Sequence, residues 1–370
     1  MSGRALLITL AGIITLSATV FLNVTSSSSD ISSNADGYFM RQTAQNIAQS
    51  GVNMALRQLA DNRIWRTGFT MLDVFGGKLT VTLIDTFFTG KAAVKITSTG
   101  ITNYNRPEEK RATSIAFAQR GSIPPTVKAA ITTNNPVKTL GTLIVDGRDH
   151  TAAGSLIGGQ GTLGIWTTQT LSQSGSSKIG GTYEGTDYAP SKPANPNTIA
   201  TGQVWPGGYP GTPDSVLGGS SLGFPEGTLK AIAQSGIGGS QYVTNPSLLT
   251  FPLQGVTYVE LPSGGTWQSM NLDGTGILIV HNNWKNAAMK NLNSGTFTGL
   301  LIADDVIHIH TIIIGALVAL SPNPSQGNCI GNGSGQVLYS GDAILNATGG
   351  IGSSAGGGNG SASGVLAWWE

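Results

Sequence analysis

Residues Ala5 to Val24, ALLITLAGIITLSATVFLNV, are twenty consecutive positions without a charge, preceded by Arg4. Coiled as a helix at about 1.5 Å per residue, the run reaches about 30 Å, the thickness of a bilayer core. Eleven of its side chains are large aliphatics or Phe. Each gains about 1.5–3 kcal/mol on full burial, so leaving the set in water costs roughly 15–30 kcal/mol as an upper bound. A domain of ordinary stability cannot absorb that. The segment therefore lives in lipid, is removed, or packs against copies of itself.

A removable secretory signal has an apolar core of about 7–15 residues followed by a small-x-small cleavage site. Here the run is longer and no such site follows. Beyond the Ser-rich patch Ser26–Ser29 and the turn signal Asp36-Gly37, apolar positions fall at Met40, Ala44, Ile47, Ala48, Gly51, Val52, Ala55, Leu56 and Leu59. Spacings of three and four predict a second, amphipathic helix from near Tyr38 to Asp61-Asn62. Small residues on its stripe allow another surface to approach closely.

An apolar half-helix, a Ser-rich interruption and an amphipathic half-helix resemble the opening of type IV pilins, most closely their PilX-like branch. The matching residues are Gly3-Arg4-Ala5-Leu6-Leu7 and Gln42 to Leu56. In the head, Gly299 to Val306, Gly315-Ala-Leu-Val318, Gly333 to Ser340 with Ala343, and Val145 to His150 extend the likeness. The resemblance implies a subunit that waits in the inner membrane and then polymerises with copies of itself into a helical filament. The contacts would run through Leu6, Leu7, Ile8, Leu10, Ile13, Ile14, Leu16, Val20, Phe21 and Leu22. The family's Glu near the mature N-terminus has no counterpart: Ile8 or Ala5 stands there, depending on where the chain is processed.

Composition narrows the function classes. Charged residues make up 11% of the chain and the net charge is +1, against about 25% charged in an ordinary soluble domain. Glycine occupies 53 of 370 positions. The surface is neutral, hydroxyl-rich and turn-rich, which argues against nucleic acid as a partner. The first 120 residues hold twelve bases and seven acids, the remainder eight and twelve. Cys329 is the single cysteine, so no internal disulfide framework exists.

Residues 1–63 are expected to form the helical stem. Over 64–121, alternating runs Lys78–Ile84, Ala92–Ser98 and Arg111–Phe117 predict a small three-stranded antiparallel meander covering the amphipathic helix. From 122 to 370, short aliphatic runs recur between glycines. Those beginning at Ile277, Leu300, Ala316 and Val337 are spaced like the coils of a parallel β-helix; a β-sandwich is the rival. The fold class read from the sequence is thus α+β, a long N-terminal helix on a small sheet followed by a β-rich head. Residues 183–213 carry six prolines with Tyr183, Tyr188, Trp205 and Tyr209. They read as a loop packed on the head or as a contact surface for a neighbouring subunit or a carbohydrate. Trp368 and Trp369 are expected to pack on the head or on a neighbour.

Chemistry is sparse. Ser221 and Ser354 fit a nucleophile-elbow pattern only through the abundance of Gly and Ser, and Gly159 to Gly164 matches a dinucleotide fingerprint without a following helix. The best constellation is Asp304 and Asp305 with His308 and His310, two apart on one strand face and so able to hold a divalent metal or to act on polysaccharide. Asp146, Asp149 and His150 form a second group. Asn332, Asn346 and Asn359 are candidate glycosylation sequons. No cofactor is implied. The expected function is a structural subunit of an extracellular filament on a prokaryotic cell surface, with its β-rich heads outside and a role in adhesion to surface glycans. The alternative is a membrane-anchored or secreted β-helix enzyme or binding protein acting on polysaccharide.

Overall fold

The computed structural model describes residues 3–61, 65–88, 91–119, 121–268, 271–324, 332–349 and 365–369. Helix α1 runs unbroken over Gly3–Asp61. The Ser-rich patch and Asp36-Gly37 do not interrupt it. Serines and a single glycine cost a helix at most about 1 kcal/mol per residue, whereas proline would break it, and the first proline is Pro107. Ala44, Ile47, Ala48, Val52, Ala55, Leu56 and Leu59 are buried along one stripe.

That stripe lies on an antiparallel sheet of β1 (Phe69–Val74), β2 (Gly77–Phe88), β3 (Lys91–Thr102) and β4 (Lys110–Gln119). Leu79, Val81, Val94, Ile96, Ala116 and Ala118 complete the small core. The approach is close: a Cβ added at Gly100 would run into the Ala44 carbonyl. Only a small residue on both elements allows that fit.

The head begins with two coils, β5 (Ala129–Thr133), β6 (Val137–Gly141) and β7 (Ile144–Asp146), then β8 (Leu163–Thr167), β9 (Leu171–Gln173) and β10 (Lys178–Tyr183). After β11 (Thr186–Ser191), antiparallel to β10, and β12 (Ile199–Ala200), parallel to β8, the chain crosses to the opposite end of the sheet. The crossing carries α2 (Pro213–Val216) and α3 (Thr228–Ser235) and ends at β13 (Gln241–Val243). From there the coils wind back through β14 (Val256–Glu260), β15 (Thr266–Gln268), β16 (Gly274–His281), β17 (Ala288–Leu292), β18 (Thr296–Ala303), β19 (Asp305–Ile309), β20 (Ile312–Ala319), β21 (Asn332–Gly333) and β22 (Gln336–Tyr339). Helix α4 (Gly341–Gly349) then packs over β16, β18 and β20, and β23 (Val365–Trp369) returns to pair with β4.

The last coil therefore docks on the first. The leading half of β20 pairs with β22 and its trailing half with β5, while β22 pairs with β7 and β21 with β6. Ile277, Leu300 and Ala316 stand in register, as their spacing suggests, but Val337 pairs with Ile313. The place beyond Leu317 is taken by Ile131 of the first coil. The parallel ladders exclude a sandwich, whose pairing is antiparallel. Strands β16, β18 and β20 bend at Gly276, Gly299 and Gly315, stacked in register with φ of 111°, 143° and 138°. A Cβ on each would strike the carbonyl of the preceding glycine in the column.

The α+β class is corrected. The described residues are β-rich, 40% strand against 24% helix, because the head is built from many strands of three to eight residues that glycine and asparagine corners conceal in the sequence. An apolar half-helix joined through a break to an amphipathic half is not found either. Among the described residues no helix is long and apolar enough to cross a membrane. The three-stranded meander is also corrected, to five strands in the order β1-β2-β3-β4-β23. Trp368 packs in the small core and Trp369 lies edge-on to Phe117 and Phe88, so the C-terminal pair covers this sheet and not the head.

Gly299→Val is expected to destabilise the head by at least about 3 kcal/mol, through a forbidden φ and a backbone clash together. Gly207→Ala, also at positive φ but with open space around it, should cost only about 1 kcal/mol. Urea unfolding of both variants checks the contrast.

Candidate functional site

Among the described residues, the longest run of exposed large hydrophobics is on α1. Leu10, Ile13, Ile14, Leu16, Val20, Phe21 and Leu22 are each 55–71% exposed, all round the helix. The side chains of Leu6, Leu7 and Ile8 lie outside the described residues. The threonine hydroxyls in and just after this stretch are turned to the helix backbone. Thr15 Oγ1 donates to the Ala11 carbonyl at 2.9 Å, Thr19 to Thr15 at 2.7 Å and Thr25 to Phe21 at 2.9 Å. Three hydroxyls satisfied by the helix itself have no need of water, the device that lets Ser and Thr sit in apolar surroundings.

The group Asp304, Asp305, His308 and His310 does not converge. Asp304 is fully buried at the end of β18. Its Oδ1 accepts from His281 Nδ1 at 2.6 Å and its Oδ2 from the backbone N–H groups of Asn282 and Ala287, each at 3.1 Å. Asp305 is buried at the start of β19. His308 has φ 61°, which breaks the strand alternation, and its Nδ1 meets Asn291 Oδ1 at 2.9 Å. His310 turns to Ser334 Oγ at 2.9 Å. Among the described residues no cluster of three or more metal-ligating side chains forms.

His281, which carries no sequence signal, is the partner that matters. It stands in register with Glu260 on β14. Glu260 accepts from Lys230 Nζ at 2.6 Å and from the Tyr242 hydroxyl at 2.5 Å, tying α3 and β13 to the second rung. Burial opposes ionisation of Glu260, but the Lys230 and Tyr242 hydrogen bonds outweigh it and hold the carboxyl below its ordinary range. Nearby, burial raises Asp214, against the N–H groups of Leu229 and Gly227 that it accepts at the start of α3.

Asp146, Asp149 and His150 clasp the seam between first and last coils. Arg148 donates to both oxygens of Asp146, His150 Nδ1 donates to the Tyr339 carbonyl at 3.0 Å, and Asp149 accepts from the Gly341 N–H at 2.9 Å. Tyr339 ends β22 and Gly341 opens α4. Burial raises the Asp149 carboxyl, against the Gly341 hydrogen bond.

In the Pro-rich excursion Trp205 and Tyr209 meet each other and Trp166 of β8, while Tyr183 is exposed. Trp205 lies edge-on to Trp166 at 5.5 Å, Tyr209 stacks on Trp166 at 6.2 Å, and Lys128 sits over the Trp205 ring. Asn346 is half-buried within α4, a poor place for a glycan, which needs a surface loop. Asn332 contributes backbone to β21; its side chain, Asn359, Ser354 and Cys329 lie outside the described residues. Ser221 Oγ donates to the Gly218 carbonyl at 2.7 Å in a 3-10 turn.

Asp304→Ala strands two backbone donors and a buried His, so a loss of about 3–5 kcal/mol is expected in thermal unfolding; His308→Ala should cost under about 1 kcal/mol. The Glu260 contribution is present above the ordinary Glu range, about 4.3, and is lost as pH falls through its lower folded-state value. Amide exchange in α3 should accelerate on that acidification, and Glu260→Gln should remove the pH dependence. No family model, no curated protein and no solved structure matches this chain.

Proposed function

We propose that the chain is a structural subunit of an extracellular, type IV pilin-like filament of the PilX-like kind. Its N-terminal helix bundles with those of sister chains in the filament core, and the β-helix heads tile the outside at a prokaryotic cell surface. The observation that carries this reading is the apolar surface of α1, naked all round between Leu10 and Val24, with its threonines satisfied internally. A surface apolar on every side is matched by a bundle interior, not by one docking face. Assembly is driven by the burial each chain cannot achieve alone. The neutral head, rich in Gly, Ser and Thr, suits close tiling and exposure to surface glycans.

The rival reading, a β-helix enzyme acting on polysaccharide, would have rested on residues 304–310. There Asp304 is committed to His281 and two backbone donors, and the histidines point to different partners.

Ile13→Asp combined with Leu16→Asp places two charges in the core, at about 3 kcal/mol or more each in an apolar setting. The double variant is expected to lose all sedimentable polymer while its strand signal in circular dichroism and its melting temperature stay unchanged. Polymer at the wild-type level would overturn the proposal.

A further inference from the structure

We propose that a cleft between β15 and the 3-10 turn at Pro246–Leu248 binds a neutral oligosaccharide. The cleft is an open groove of about 510 Å³, within the ~300–1,000 Å³ that small-molecule sites occupy. Its polar lining consists of Asn245, Ser247, Thr266, Gln268 and Asn271, all amides and hydroxyls without a charge. Phe251, 44% exposed, supplies an aromatic face at its wall.

Strand alternation decides what β15 offers. Trp267 turns inward and is buried, while Thr266 and Gln268 face out, roughly 6.6 Å apart along the strand. Among the described residues neither side chain makes a hydrogen bond within the fold, in a head where most polar side chains are used. Asn245 is fixed by accepting from the Ser247 N–H and hydroxyl at 3.1 and 2.9 Å, and Asn271 accepts from Ser294 Oγ at 3.0 Å. Two held amides beside one free amide and one free hydroxyl, with an exposed ring, match a pyranose: hydroxyls that both donate and accept, and an apolar C–H face for the ring to cover. An ionic ligand finds no counter-charge in the lining; Lys290 stands one rung on, beside Gln268 in register.

The inference deepens the adhesive part of the proposed function, resting on it only for the glycan's source; the filament is tested separately by sedimentation of the polymer. Full-length protein is titrated calorimetrically with malto-, cello- and chitotetraose, and with a sialylated and a sulfated tetrasaccharide as charged controls. At least one neutral sugar is expected to bind, and Phe251→Ala and Gln268→Ala each to weaken it about tenfold or more. Both side chains are exposed, so the variants should melt as the parent does; Thr266→Val provides a third substitution should either fail to fold. Absence of binding by every neutral sugar, equal binding of the charged ones, or variants that bind like the parent would overturn the assignment.

Discussion

A helix can lay one stripe on one sheet, and α1 has more apolar surface than its sheet can cover. Its 59 residues extend about 90 Å at 1.5 Å per residue. The five-stranded sheet buries the stripe from Ala44 to Leu59. Everything between Leu10 and Val24 is left to another partner, and the functional reading follows from that excess. The small sheet holds α1, and β23, near the C-terminal end of the sequence, closes its edge beside β4.

The head shows the same economy of edges. A stack of parallel coils leaves a bare strand at each end, a template for unwanted pairing. Here the two half-stacks cover each other: β22 and β20 meet β7 and β5, and the Asp146–Arg148–His150 group locks the join to Tyr339. Neither half presents a finished face alone. Pairing the first coil with the last demands contacts distant in sequence, which slows folding.

Much of this is legible in sequence where a period is long enough to be read. The stripe Ala44 to Leu59 shows itself by spacings of three and four, and Ile277, Leu300 and Ala316 by their coil-length separation. What period cannot carry is order: Val337 continues the same spacing yet pairs with Ile313, because Ile131 has taken the place beyond Leu317. Ser26–Ser29 resemble a break by local propensity alone, yet without a proline the helix runs through them. Two short strands of the small sheet, β1 and β23, leave no signal, since six or fewer residues at an edge carry little pattern. At the constellation around Asp304 the residue types stand out in the sequence but their partners do not. A left-handed His308 defeats any argument from alternation, and His281, one rung away, is adjacent only through the coil. The cleft beside Phe251 has no sequence signature, for amides and hydroxyls are common throughout the chain.

The central claim is that the naked part of α1 finds its shelter among identical chains. Electron cryomicroscopy of the purified full-length protein tests it most directly. Helical filaments with the N-terminal helices bundled along the axis and the β-helix heads outside are the expected result. Dispersed single particles at every concentration, with Leu10 to Val24 free of any neighbour, would contradict the account.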